Sequence, residues 1–376
     1  MYFRDVVGQK DVKNQLRQSL RKSYMPHARI FSGAEGAGAF PLALAYARYV
    51  MCENRSEEDS CGHCSSCLKI NNLAHPDLHF VFPVVKVVKL KKFVSDDYIA
   101  EWRIFLSKNT YFRLPSWLDA IDAGNAQGLI SAKEGDEVIK KLNFKSYESE
   151  YKIVIIWLPE KMHNTCANKL LKMIEEPPAK TIFLMVSEAP DKIISTIQSR
   201  SQRLHVPPIM AEDMLLALSA KYDISQEDLD LASIVRLSSG SYLKALEAIQ
   251  GKDLAEAHLE FFIAIMRNSW TRNVIDMKSR ADAFRNMGRD KQKSFLTYAQ
   301  NLLRQNFIAN FRIPEITYLS RTEAAFSQKF APYISERNIL EFMEELALAE
   351  LHVEQNVNPR MIFFDLSLKI AVLLKK

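Results

Sequence analysis

"HARIFSGAEGAGAFPLALAYARYV", residues 27–50, decides the fold. A short apolar run enters a turn with three glycines, and a helix-forming stretch follows. Strand, glycine turn and helix in that order open a parallel α/β sheet. Gly33, Gly36 and Gly38 stand where a phosphate-binding loop, G-x-x-x-x-G-K-[ST], needs glycines. Its Lys reaches the β- and γ-phosphates and its hydroxyl ligates magnesium. Here those two positions hold Ala39 and Phe40, which do neither. Backbone N–H groups at the helix start can still form an anion nest. A plain structural turn accounts for the glycines equally well.

The surrounding chain repeats the α/β pattern. "DVKNQLRQSLRKS" (11–23) sets Val12, Leu16 and Leu20 on one helical face. "HFVFPVVKVVKL" (79–90) reads as a strand. "YKIVIIWL" (151–158) and "KTIFLMVS" (180–187) are the nearly unbroken apolar runs of buried parallel strands. "CANKLLKMIEE" (166–176) is a helix stopped by Pro177 and Pro178. The pattern predicts an α/β domain over 1–208, its parallel sheet covered on both faces. It ends near "RLHVPPIM" (203–210), and after Pro207 and Pro208 the sequence is helical. A small helical domain over about 209–252 and a larger one over about 253–376 are expected.

A magnesium-dependent hydrolase also needs an acidic residue at the end of its central strand. Those positions are Trp157 and Leu158, and the nearest carboxylate, Glu160, lies beyond Pro159. Two independent requirements for ATP hydrolysis fail together.

Cys52, Cys61, Cys64 and Cys67 form a C-x8-C-x2-C-x2-C pattern in "CENRSEEDSCGHCSSC" (52–67). Four thiolates close a tetrahedral shell, so the expected ion is a structural zinc with no open position for chemistry. Four free or buried cysteines are the alternative. His63 lies inside the knuckle and is expected to be solvated rather than a ligand.

With 376 residues, 48% of them hydrophobic, the chain is long enough for two or three cores. Its 50 basic and 45 acidic residues leave a net charge of +5, which permits nucleic-acid contact without arguing for it. No apolar run approaches the ~20 residues of a membrane span. The start, "MYFRDVVGQKDVKNQ", is too polar for a secretory signal, so a cytoplasmic location is expected.

Taken in order, several motifs resemble the clamp-loader subunits of bacterial DNA polymerase III, a family of AAA+ P-loop NTPase-like proteins. They are "FRDVVGQKDVKNQL" (3–16), the glycine loop, the four-cysteine pattern, "HPDLHF" (75–80), "ESEYKIVII" (148–156), "ANKLLKMIEEPP" (167–178) and "TIQSRSQRL" (196–204). "NPRMIFFDLSLKI" (358–370) is similar to part of the family's last helical domain. The resemblance implies an AAA+ domain with a zinc module, a helical lid over 209–252 and an all-α collar over 253–376. Gamma/tau subunits of the family hydrolyse ATP, and delta prime has a decayed site. Missing Lys, hydroxyl and strand-end acid place this chain nearer delta prime. The lid's sensing Arg, in a "GSxR" pattern, is replaced by Leu243, with Lys244 beside it.

The family's "SRC" motif reads Ser199-Arg200-Ser201 here. The resemblance implies that Arg200 reaches a neighbour's ATP as an arginine finger. Without it, an intramolecular ion pair is the simpler reading of Arg200. Implied partners are gamma/tau and delta subunits, and, through the assembled ring, the sliding clamp and primed DNA.

Residues from about 86 to 127 exceed what the family usually places there. Lys86, Lys89, Lys91 and Lys92 lie near Phe93, Tyr98 and Trp102. Basic residues among aromatics can hold single strands; an amphipathic helix packed on the sheet is the preferred reading. Two other functions compete with a non-hydrolysing subunit. One is an active gamma/tau-like ATPase. The other is a zinc-dependent nucleic-acid binder, disfavoured by the acidic Glu57, Glu58 and Asp59 inside the module.

Overall fold

In the computed structural model, residues 1–22, 25–85, 94–123, 126–226, 228–311 and 319–376 are described. They form two compact units: Met1–Ile224 with Ser238–Ala245, and Ser225–Leu237 with Leu246–Lys376.

The first unit carries α1 (Lys10–Arg21), β1 (Ala28–Ser32), α2 (Ala39–Met51), α3 (Ser65–Asn71), β2 (Leu78–Val81), α4 (Ile99–Lys108), α5 (Leu114–Ala120) and α6 (Ala132–Asn143). It continues with β3 (Lys152–Trp157), α7 (Asn164–Glu175), β4 (Thr181–Ser187), α8 (Ser195–Gln198), β5 (Gln202–His205) and α9 (Ala211–Tyr222). The sheet order is β2-β3-β4-β1-β5, with every pairing parallel. Side chains alternate between its faces. Ile153 and Ile155 join a cluster with Leu42, Tyr46 and Phe31. Val154 and Ile156 join another with Val138, Leu170 and Ile174. Both faces are dry, which is why β3 is apolar from Ile153 to Trp157 and β4 from Ile182 to Val186. Each such side chain contributes about 1.5–3 kcal/mol by leaving water.

The expected strand over 79–90 is shorter than its sequence suggests. β2 ends at Val81. Pro83 lacks the N–H a ladder needs, and Val84 makes only an isolated antiparallel bridge to Leu129. Lys86, Lys89, Lys91, Lys92 and Phe93 lie outside the described residues. Tyr98 and Trp102 turn inward: Tyr98 donates its hydroxyl to Val85 O at 2.8 Å. Trp102 is buried and stacks on Phe82 with ring centroids 4.1 Å apart. These two aromatics pack the α4 layer and offer no exposed platform for bases.

"HPDLHF" has a structural job. The buried Asp77 carboxylate accepts the N–H groups of Tyr147, Glu148 and Ser149 at 2.7, 2.8 and 2.9 Å, fixing the approach to β3. Burial alone would raise its carboxyl, but the three N–H groups outweigh it and hold it below the usual carboxylate range. A depressed carboxyl stabilises the fold above its unfolded value, near ~3.9, and that share disappears as pH falls through the folded value. Asp77→Asn should therefore cost about 2 kcal/mol at pH 7, the scale of hydrogen bonds to a charged group. In urea titrations the difference from wild type should shrink below pH ~4; a difference independent of pH would exclude the ionised carboxylate as the cause.

The segment after Pro208 is helical among the described residues. α10 (Leu229–Leu237) lies in the second unit, and α11 (Tyr242–Gln250) begins in the first and ends in the second. α12 (Lys252–Thr271), α13 (Val274–Asn286), α14 (Arg289–Ala309), α15 (Arg321–Phe330), α16 (Ile339–Glu354) and α17 (Pro359–Leu373) complete the second unit. Its core is aromatic, built on Phe262, Phe284, Phe295, Phe342 and Phe363.

Candidate functional site

The glycine loop joins β1 to α2 as expected, but its cradle is full. Gly33, Gly36, Gly38, Ala39 and Phe40 line a residual cavity of about 30 Å³ with Tyr111, Phe112, Trp157 and Glu188. That is room for about one water, against the ~300 Å³ at which ligand pockets begin. Phe40 meets Phe112, Trp102 and Trp157 at ring distances of 5.1, 5.9 and 6.3 Å. Tyr111 lies over Gly38 and accepts the Val7 N–H at 3.0 Å. A second wall comes from 241–243: Tyr242 N donates to Gly36 O at 3.1 Å. A Cβ at Gly36, where φ is +81°, would overlap the Ser241 hydroxyl, so this approach requires glycine. Leu243 is buried, and Tyr111 and Tyr242 pack with centroids 4.8 Å apart.

The electrostatics oppose phosphate as well. Glu35 of the loop pairs with Arg113 at 3.0 Å, occupying the nearby cation. Burial, with Glu35 and Glu160 adding to it, pushes Glu188 up to about 7. Glu160 accepts the N–H groups of Glu188 and Ala189 at 3.0 and 3.1 Å, bracing the end of β4. Trp157 and Leu158 are buried and apolar. Among the described residues no Lys or Arg lines this cavity to balance a triphosphate. Restoring the lysine alone should therefore fail: Ala39→Lys should show no magnesium-ATP binding by titration calorimetry. Binding by that variant would sink the filled-cradle reading.

The four cysteines converge. Their Sγ atoms all lie within 4.8 Å of one another. Cys52 Sγ is 3.6 Å from Cys61 Sγ and 4.0 Å from Cys64 Sγ. A tetrahedral zinc with Zn–S bonds of ~2.3 Å spaces its sulfurs by about 3.8 Å, so the set fits that ion. N–H groups of Cys61, Cys64 and Cys67 point at the preceding sulfurs Cys52, Cys61 and Cys64 at 3.3, 3.4 and 3.5 Å. Burial would raise the Cys61 thiol, but N–H groups of His63 and Cys64 and the neighbouring thiols bring it down to about 6. Gly62, at φ +86°, makes the knuckle turn. His63 is exposed and outside the cluster, its Nδ1 3.1 Å from Cys61 O. The fifth cysteine, Cys166, is buried in α7, where burial pushes its thiol up to about 12. Asp59, within the acidic run, accepts the N–H groups of Phe3 and Arg4 at 3.2 and 3.1 Å.

Arg200 sits in the turn between α8 and β5. The turn is held by Ser201 Oγ donating to Ile197 O at 2.8 Å and Ser199 Oγ donating to Thr196 O at 3.2 Å. The guanidinium donates to Thr196 O at 3.2 Å and to Glu175 Oε1 at 3.3 Å, and its Nε lies 3.2 Å from Glu175 Oε2. The side chains of Arg200 and Glu175 keep 35% and 54% of their surface exposed. Glu175 as the local partner carried no signal in the sequence. Neither did Tyr111 and Phe112 as the residues that fill the cradle.

Residues 8–210 match the family model described as "DNA polymerase III, delta subunit", more than half of the chain. The chain belongs to this family. It is 28% identical over 225 residues to the DNA polymerase III subunit delta' of Escherichia coli (strain K12), covering 60% of this chain and 55% of that one. It is 26% identical over 249 residues to the delta' subunit of Bacillus subtilis (strain 168), covering 65% and 60%. It is also 26% identical over 239 residues to the tau subunit of the same organism, covering 64% and 35%. The chain thus spans less than two thirds of the length of each of these relatives. The delta prime-type resemblance read from the motifs is borne out. Among the described residues no helix is long and apolar enough to cross a membrane.

Proposed function

We propose that this chain is a non-hydrolysing, delta prime-like subunit of the DNA polymerase III clamp loader, working in the cytoplasm. It takes a place in a ring with gamma/tau and delta subunits that loads the sliding clamp onto primed DNA. It hydrolyses no ATP and lends Arg200 to the nucleotide of a neighbour. One observation carries the reading: the glycine-loop cradle is reduced to about 30 Å³ by the protein's own aromatic side chains.

Other features support it. A glycine loop after β1, with β4 and β5 on either side of that strand, suits an AAA+ sheet. In the collar, Leu348, Leu351, Leu368 and Val372 on α16 and α17 stay exposed, as apolar residues do where another subunit packs. The cysteine cluster suits a structural zinc. DNA contacts made by the ring are expected to be salt-dependent and sequence-independent.

The test is reconstitution of this chain with candidate gamma/tau and delta subunits, a sliding clamp and primed DNA. Clamp loading should require the chain, and the chain alone should release no phosphate from ATP. Steady magnesium-dependent turnover by the purified chain, or full loading without it, would overturn the proposal. The Arg200–Glu175 pair favours a second reading, in which Arg200 only ties α7 to the turn before β5.

A further inference from the structure

The second unit holds an apolar groove of about 270 Å³ between α12 and α15, lined also by Tyr333 and Leu374. Ile263, Met266, Arg267 and Trp270 face it from α12 at i, i+3, i+4 and i+7. Phe326, Lys329 and Phe330 face it from α15. This spacing puts the four residues on one face of α12. Trp270 and Tyr333 meet edge to face at 4.9 Å and keep 43% and 44% of their surface exposed. The other three tryptophans, Trp102, Trp117 and Trp157, are at most 2% exposed. Large aromatics beside arginine make up the groups that dominate binding energy at interfaces.

Charge selects the occupant. Arg267 and Lys329 line the groove, and the Lys375 ammonium lies 5.7 Å over the Trp270 ring. None of the three has a carboxylate partner among the described residues, and no Asp or Glu lines the groove. Nearby cations do have such partners: Lys376 pairs with Glu341, and Lys369 with Glu345 and Asp365.

We propose that this groove docks a short segment of a partner protein, one that presents a leucine or phenylalanine flanked by carboxylates. The apolar anchor enters between Met266, Phe326 and Phe330. The carboxylates meet Arg267, Lys329 and Lys375. The volume suits one or two side chains and falls below the ~300 Å³ of small-molecule pockets.

The test uses the full chain and a synthetic peptide with a central Leu-Phe pair flanked on each side by three glutamates. A control peptide has lysines in place of the glutamates. Binding is read by calorimetry and by the emission of Trp270. The acidic peptide should bind saturably and shield Trp270 from acrylamide, and the lysine peptide should bind at least about tenfold more weakly. The double variant Arg267→Glu, Lys329→Glu changes only exposed side chains and should weaken the acidic peptide at least about tenfold, with an unaltered melting curve. Trp270→Ala should weaken it likewise. Equal binding of both peptides, or no binding of the acidic one up to about 1 mM, overturns the proposal. So does a concentration-dependent dimer of the chain that Trp270→Ala abolishes, since the groove then belongs to a second copy.

Discussion

Arg200→Ala should lower turnover at the neighbouring ATP site by about 10³-fold or more in a reconstituted, DNA-stimulated clamp loader, with assembly intact. Total ATPase should fall by that one site's share, so phosphate release is best read in complexes where only that site is competent. The size follows from phosphoryl transfer: a guanidinium supplied in trans neutralises charge that develops only in the transition state. The turn around Arg200 suits this use. Ser199 and Ser201 fix its backbone through Thr196 and Ile197, so little loop entropy remains to be lost on docking. The contact with Glu175 is no obstacle. It is an ion pair between half-exposed side chains, worth about 0–1 kcal/mol, and a phosphate can replace that carboxylate cheaply. Two further variants separate this role from a structural one. Arg200→Lys keeps the charge but loses the fork, and should recover only part of the rate. Glu175→Ala frees the guanidinium and should leave turnover near wild type. If Arg200→Ala leaves DNA-stimulated ATPase unchanged in a normally assembled complex, the finger is excluded. If Glu175→Ala reduces turnover as far as Arg200→Ala does, the pair is structural.

Burial on both faces made the central strands legible. A strand covered on both sides is apolar along its interior, and "YKIVIIWL" and "KTIFLMVS" carry that signal without any partner in view, with Lys152, Thr181 and Ser187 as buried polar ends. The same is true of Val12, Leu16 and Leu20, whose spacing marks one buried helical face. "HFVFPVVKVVKL" misled because composition outweighed one residue. Pro83 removes the donor that would have continued the ladder, and β2 stops at Val81. The missing Lys and hydroxyl at Ala39 and Phe40 announced a site without hydrolytic parts, yet not a filled one. What fills it is Tyr111 and Phe112, about seventy residues further along, just after α4, whose Trp102 packs on Trp157 of β3. No local spacing encodes such a meeting. Nothing in "HPDLHF" marks Asp77 as a backbone brace; its three N–H partners lie some seventy residues away in sequence.

Zinc removal should unfold the region around residues 52–67 while leaving the central strands protected. Binding to four-thiolate or mixed sites is worth about 10–16 kcal/mol in zinc-finger peptides at neutral pH, far more than the few contacts the module makes otherwise. Those contacts name what else should loosen. Asp59 holds the Phe3 and Arg4 N–H groups, and Arg21 lies 3.4 Å from Glu57. Tyr49 donates its hydroxyl to Ser56 O at 3.0 Å, and the Tyr2 hydroxyl packs on Gly62. A chelator, or Cys61→Ser, should therefore increase hydrogen exchange across 52–71 and the first few residues together, because local openings follow cooperative units. β1, β3 and β4 should keep their protection, since their core is formed by Ile30, Val154, Ile156 and Met185 without help from Cys52, Cys61, Cys64 or Cys67. Acid should act like the chelator, because the ligands bind as thiolates and protons compete with the ion. Chain purified without chelator should carry one zinc per molecule. If it carries none, or if chelation leaves exchange across 52–71 unchanged, the cluster is not a zinc site and the module stands on its packing alone.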